Sequence, residues 1–257
     1  PGDGKAKYFI RIEEIVKLSL PLMFPEAKIE EASVFRILRN QDFPTNPNDE
    51  VATAVREMLL HRRNGKVMRL EAEERMSEEL LGMLMKRFDV PEERKYRVTG
   101  PLDLNKLMMT LYGQVDRPDL KYRKAEPLLD KALMGKDVFE QIAKRDHLLF
   151  HPYHSFDPVV NLLGVAANDP DVCSVKMTLY RVSSSSPVVK ALLKAAEKGK
   201  QVTVLFEAQA RFDEDNNLFL GERLKRAGCH VIFGIPGLKT HSKIALVTRM
   251  ENGELKH

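Results

Sequence analysis

Between positions 171 and 248 the apolar residues fall into short blocks of two alternating kinds. Asp171–Tyr180, Gln201–Glu207 and His230–Phe233 are brief runs rich in branched side chains, the pattern of strands. Between them, Pro187–Lys198 sets Val188, Leu192 and Ala195 on one side of a helix, and Asp215–Ala227 predicts a second helix closed by Gly228. A last strand is predicted over Lys243–Thr248. Strands and helices alternating at this spacing predict an α/β domain with a largely parallel sheet and right-handed crossovers.

The first half is less regular. Phe9, Ile12, Ile15, Val16 and Leu20 recur at helical spacing, and Pro21 is expected to end that helix. Ala32–Leu38 alternates as a strand carrying Arg36 and, just beyond, Arg39. Asn48 or Asp49 is placed to cap a helix through His61, with Val51, Val55, Met58 and Leu59 on one face and Gly65 past its end. Val67–Ala72 predicts a strand, and Ser77 caps a helix whose first turn holds Glu78 and Glu79. Val98 closes another strand, and Asp103 caps a helix to Tyr112. Short mixed elements of this kind predict an α+β unit. Met83, Met85, Met108 and Met109 are expected to fill its core, and His61-Arg62-Arg63 to be a solvated helix end. The charged, turn-rich run Arg117–Ala125 sets the expected boundary, with one domain over 1–125 and another over 126–257.

Composition narrows the class. At 257 residues, 43% hydrophobic and 30% charged, the chain suits one large globular domain or two ordinary ones and not a disordered segment. Its apolar runs are far shorter than a membrane span. Cys173 and Cys229 both fall in apparent strands, so packed free thiols and a reducing cytoplasm are expected. A net charge of +4 favours an anionic partner without choosing between nucleic acid, nucleotide and inorganic phosphate. The chain opens at Pro1, and the turn Asn252-Gly253 feeds a strand cut off at His257. A piece of a longer protein, truncated at both ends, is the expectation.

In parallel sheets ligands gather beyond the carboxyl ends of the strands. Arg181 follows the first strand, Arg211 the second and His241 the third, at equal intervals of 30 residues. One such residue per strand–helix unit predicts all three on one sheet edge. Two guanidinium groups suit phosphate oxygens, and an imidazole beside Lys243 suits nucleophilic attack on phosphorus. A His-x-Lys pair opening a strand also directs both side chains to one face. The competing reading leaves Arg181 and Arg211 as surface ion pairs, with Asp213 and Glu214 close to Arg211. Weaker signals stay open. Glu207 ends a strand and either orients a basic group or forms an ordinary ion pair. His147, His151 and His154 fit no zinc template and suit a hydrogen-bonded loop better. Ser183–Ser186 opens onto a helix N-terminus, where an anion could bind.

Five ordered strings carry a resemblance. His151-Pro-Tyr-His-Ser-Phe-Asp-Pro-Val-Val160, Lys176-Met-Thr-Leu-Tyr-Arg181, Gly199-Lys-Gln-Val-Thr-Val204, Ala210-Arg-Phe-Asp-Glu214 and Gly237-Leu-Lys-Thr-His-Ser-Lys243 resemble the bacterial polyphosphate kinases of the first class. Tyr8-Phe-Ile and Gly100-Pro-Leu-Asp-Leu104 resemble the head domain of that family more loosely. The resemblance implies an incomplete head domain over 1–125 and an incomplete phospholipase-D-like α/β domain over 126–257. It also implies reversible transfer of the ATP γ-phosphate to long-chain polyphosphate through a phosphohistidine, which matches His241, with Lys243 beside it. Arg181 and Arg211 match the arginines associated with Mg²⁺. Because a guanidinium cannot ligate a cation, they are expected to hold phosphate oxygens that bind the metal. The implied partners are ATP, ADP and polyphosphate, with no nucleic acid, and the implied setting is a cytoplasmic homo-oligomer, with peripheral membrane association left open.

The phospholipase D signature expects an aspartate five residues after the lysine, where Thr248 stands, which argues against diester hydrolysis. A second His-x-Lys is implied outside the chain, so the chain alone is expected to be inactive. Two alternatives remain: a phospholipase-D-like phosphodiesterase or nuclease, and a polyanion-binding scaffold in which His241 is inert.

Overall fold

The computed structural model describes residues 8–40, 50–210, 213–235 and 238–257, with Arg63 described by its backbone alone. It divides into two compact units, one made of 1–43 and 60–123, the other of 44–59 and 124–257. In chain order the elements up to residue 111 are α1 (Ile12–Met23), β1 (Phe35–Arg39), α2 (Val51–Asn64), β2 (Val67–Glu73), α3 (Glu78–Phe88), β3 (Lys95–Val98) and α4 (Leu104–Leu111). They are followed by α5 (Val138–Lys144), α6 (Asp157–Asn168), β4 (Val172–Leu179), α7 (Pro187–Glu197), β5 (Gln201–Phe206), α8 (Glu214–Arg226), β6 (His230–Phe233), β7 (Ala245–Glu251) and β8 (Glu254–Lys256).

The first unit is the α+β body that its short elements predict. β2 is central, antiparallel to β1 and parallel to β3. Val67, Leu70 and Ala72 from the sheet bury against Met76, Leu81 and Val90, with Ile37, Leu84, Met85 and Phe88 packed around them. Ser77 caps α3 by accepting from Leu80 N at 3.1 Å. Three expectations fail here. Pro21 lies inside α1, which runs on to Met23, because a proline in the last turn withdraws one donor and leaves the preceding ladder intact. Asp103 stands at the start of α4 without a side-chain cap bond. Of the four methionines only Met85 reaches the core, whereas Met83, Met108 and Met109 are 56%, 71% and 75% exposed. The proposed caps Asn48 and Asp49 lie outside the described residues.

The second unit is organised on a five-stranded sheet ordered β6-β5-β4-β7-β8. β4, β5 and β6 are mutually parallel, as their strand–helix rhythm predicts. α7 and α8 supply the crossovers and bury Val189, Leu192, Leu220 and Leu224. β7, by contrast, pairs antiparallel with the other side of β4, and β8 antiparallel with β7, so the sheet is mixed. The reason is the 11-residue connection 234–244, whose described residues contain no helix. A parallel return needs a crossover of about a dozen residues or more, commonly helical, whereas this shorter loop re-enters from the edge it left. To reach β7 it must pass over the carboxyl ends of β5 and β4. Asn252 and Gly253, with φ of 52° and 83°, make the tight turn between β7 and β8.

α5 and α6 have no counterpart in the sequence reading. α6 is apolar over most of its circumference, which hides the helical period. Cys229 is buried just ahead of β6, but Cys173 on β4 is exposed instead of packed. Among the described residues no helix is long and apolar enough to cross a membrane.

Candidate functional site

The connection 234–244 carries the histidine, and it is tied down on both sides of that residue. On one side, Thr240 N donates to Glu207 Oε2 at 2.7 Å. Glu207 follows β5 and is 2% exposed, and its other oxygen accepts from Gln209 N at 2.9 Å. On the other side, Thr178 of β4 replaces the ladder with its hydroxyl. Its Oγ1 donates to Ser242 O at 2.7 Å and accepts from Ile244 N at 2.9 Å, while Thr178 N donates to Ile244 O at 2.9 Å. Because Ile244 is bonded to a side chain, the regular strand starts at Ala245, not at Lys243. His241 and Lys243 therefore precede β7, and Lys243 Nζ donates to the His241 carbonyl.

Asn217, fully buried in α8, fastens the same edge from below. Its Nδ2 donates to Tyr180 O at 2.6 Å and Glu207 O at 2.9 Å, joining the ends of β4 and β5. Asn216 Nδ2 donates to Val182 O at 2.9 Å.

Above this frame stands the ring of Tyr180. The His241 imidazole meets it edge to face, with centroids 5.1 Å apart and planes at 77°. Lys243 Nζ lies 4.7 Å from the ring centre, Arg181 Cζ 5.5 Å and Lys239 Nζ 5.7 Å. At exposed sites each such cation–π contact contributes about 0.5–1 kcal/mol. The carboxylate of Glu207 is turned inward to backbone N–H groups, so the outer face of the cluster is cationic.

The structure thus brings Arg181, His241 and Lys243 to the carboxyl edge of the sheet. Arg211 lies outside the described residues. Arg181 is also 3.9 Å from Asp213, so the ion-pair reading describes part of its surroundings. Glu207 serves backbone donors, a role neither sequence reading considered. Thr248 is buried and its hydroxyl is 3.1 Å from His257 Nδ1. Ser186 caps α7 by accepting from Val188 N at 3.2 Å. The histidine cluster is a bonded loop: His154 Nδ1 accepts from Phe150 N at 2.8 Å and His151 Nδ1 is 2.9 Å from His154 O. Among the described residues no group of three or more His, Cys, Asp or Glu is placed to hold a metal ion.

Sequence reasoning passed over Tyr180, Lys239, Thr178 and Asn217. Tyr180 and Thr178 stand in the same string as Arg181, and Lys239 two places before His241, so an aromatic at a strand exit beside an arginine was the available signal. Asn217 had none, because its partners are backbone atoms brought close only by the fold.

Comparison with known proteins matches two family models in order along the chain. The family model described as the polyphosphate kinase middle domain matches residues 1–110, and that of polyphosphate kinase C-terminal domain 1 matches residues 137–257. Polyphosphate kinase 1 of Chlorobaculum tepidum is 42% identical over 258 residues, covering 99% of this chain and 37% of its own length. The polyphosphate kinase of Bacillus anthracis is 40% identical over 265 residues, covering 100% of this chain and 37% of its own. The crystal structure of polyphosphate kinase from Porphyromonas gingivalis superimposes with a TM-score of 0.65 at 31% identity, over 95% of this chain and 34% of that one. The chain spans a little over a third of the length of the curated relatives it matches. With two models of one family matched in order, and relatives at about 40% identity covering nearly all of this chain, this chain belongs to the polyphosphate kinase family.

Proposed function

We propose that the protein containing this chain transfers the γ-phosphate of ATP reversibly to inorganic polyphosphate, with His241 as the phosphoryl carrier. The observation that supports it is the His241 imidazole held at the sheet edge among Arg181, Lys239 and Lys243. A ring nitrogen of His241 attacks the γ-phosphorus: an N–P bond forms, the bond to the bridging oxygen breaks, and ADP leaves with that electron pair. A terminal oxygen of polyphosphate then attacks the same phosphorus. The P–O bond forms, the N–P bond breaks, and its electron pair returns to the imidazole. Arg181 and Lys243 spread the negative charge of the transferring group, as does Arg211 in this reading.

In this reading Mg²⁺ enters as a chelate of the nucleotide. Guanidinium nitrogens are donors only, and the described residues offer no trio of metal-ligating side chains. Arg181 would hold the phosphate oxygens that bind the ion, and the ion would supply neutralisation of phosphate charge. Residues 1–125 form the head domain and 126–257 the phospholipase-D-like domain of a cytoplasmic homo-oligomer. A second His-x-Lys from outside this chain completes the site, so the chain alone turns over no ATP.

The phosphodiesterase alternative is disfavoured by Thr248, a buried hydroxyl where that chemistry wants a carboxylate. The deciding experiment uses the full-length protein and its His241→Ala variant with γ-labelled ATP and Mg²⁺. Acid-labile, base-stable label on protein and label in long polymer should both appear, and both should vanish in the variant. Equal polymer formation by the variant would remove His241 from the mechanism. Retained polyanion affinity without any labelling of the parent would favour the scaffold reading.

A further inference from the structure

We infer that Tyr180 is a positioning residue, whose ring fixes the orientation of the His241 imidazole and gathers Arg181, Lys239 and Lys243 around it before any phosphate arrives. This rests on the phosphohistidine reading.

Glu207 fixes Thr240, and Thr178 fixes Ser242 and Ile244, so the Cα of His241 is held from both sides. Neither anchor restrains rotation of the exposed histidine side chain. The edge-to-face contact with Tyr180 acts on the ring itself, and aromatic pairs prefer this geometry over free rotation. Tyr180 is in turn a fixed reference. Its carbonyl accepts from buried Asn217 at 2.6 Å, it directly follows β4, and its side chain is half-buried. A mobile nucleophile is thereby referred to the rigid edge of a sheet.

The cations need the same help. Three like charges near one imidazole repel, and lysine side chains lose considerable rotamer freedom when they are held in place. In water they would spread apart and recruit phosphate only by rearranging. The electron-rich ring attracts all three, at 4.7, 5.5 and 5.7 Å from its centre, and keeps them convergent without neutralising them. A carboxylate in the same place would hold them more strongly and compete with the phosphate for them. An aromatic ring does not itself neutralise them, although Arg181 also has the Asp213 carboxylate 3.9 Å away. It is the ring, not the hydroxyl, that makes these contacts, so phenylalanine should substitute and an aliphatic residue should not.

The test uses the full-length protein with Tyr180→Leu, Tyr180→Met and Tyr180→Phe, each checked for an unchanged thermal melt. In single-turnover labelling from γ-labelled ATP, the Leu and Met variants should phosphorylate His241 at least tenfold more slowly, with KM for ATP changed less than threefold. Phenylalanine should restore the rate to within threefold of the parent. A second readout needs no ATP. Carbethoxylation of His241, followed by peptide mass spectrometry, should quicken at least threefold in the Leu and Met variants, while His61 and His230 stay constant. Aliphatic variants that match the parent in both rates would overturn the inference, as would a Phe variant as slow as Leu. Should Leu fail to fold, Met carries the comparison, and should both fail, the Phe variant alone can still refute the ring's role. Absence of label on His241 in the parent would defeat the kinase reading, while the carbethoxylation rates would still report on the ring contact.

Discussion

Cys173 and Cys229 show how far single positions can be read. Burial pushes the Cys229 thiol up from its ordinary value, whereas Cys173 stands exposed on β4. At pH 8 a thiolate-selective reagent in excess should therefore label one cysteine per chain within minutes, at Cys173, and reach Cys229 only after denaturation. Labelling of both at equal rates in the folded protein would contradict the burial. The sequence shows two cysteines in strand-like runs and cannot rank them. The cause lies in β4, whose pairing with β7 is irregular between Val172 and Ser174, so that Ser174 and Val175 are buried side by side and Cys173 turns outward. Residues of the candidate site divide in the same way. Arg181, His241 and Lys243 were legible because their chemistry and their spacing point the same way. Glu207 and Asn217 were not, because each acts on backbone groups from distant parts of the chain.

Among elements, the strand–helix rhythm of β4, α7, β5, α8 and β6 is plain in the sequence because each length has one apolar period. What it conceals is the direction of β7, which depends on a connection too short for a crossover, and α6, whose apolar residues lie on too many sides. The closeness of α8 to β6 is equally hidden, and it rests on one residue. A Cβ on Gly221 would meet Cε1 and Cζ of Phe233 at 2.3 Å, and Phe233 is itself 6% exposed, with little room to yield. Gly221→Ala would help an isolated helix, but here overpacking should dominate and destabilise the second unit by about 1–3 kcal/mol. Denaturant unfolding should show a lowered midpoint with an unchanged slope, and an unchanged or raised midpoint would mean that the two elements can separate freely.

At the scale of the whole molecule, the sequence indicates a single crossing near position 125, but the division into compact units cuts the chain three times. The first part of α2 belongs with the second unit, where Ala52 and Val55 are buried and Arg56 pairs with Glu222 at 3.0 Å. Nothing in the local composition reveals this, since a continuous helix carries no mark where its allegiance changes. Limited trypsin treatment should nick the exposed basic run Arg117–Lys124, yet the two fragments should elute together under native conditions and part only in denaturant. Separation without denaturant would show that residues 51–59 contribute little to the second unit.

The sheet order also sets a timetable. β4 lies in the middle, and its partner β7 begins 66 residues after β4 ends, once α7, β5, α8 and β6 have been made. Local crossovers can form as the chain leaves the ribosome, whereas the β4–β7 pairing closes a long loop and comes late. The hydrogen bonds of Thr178 to Ser242 and Ile244 belong to that late event. The histidine thus reaches its seat only after the rest of the sheet has formed, and a nascent chain holds no assembled cluster of Tyr180, His241 and Lys243 until then.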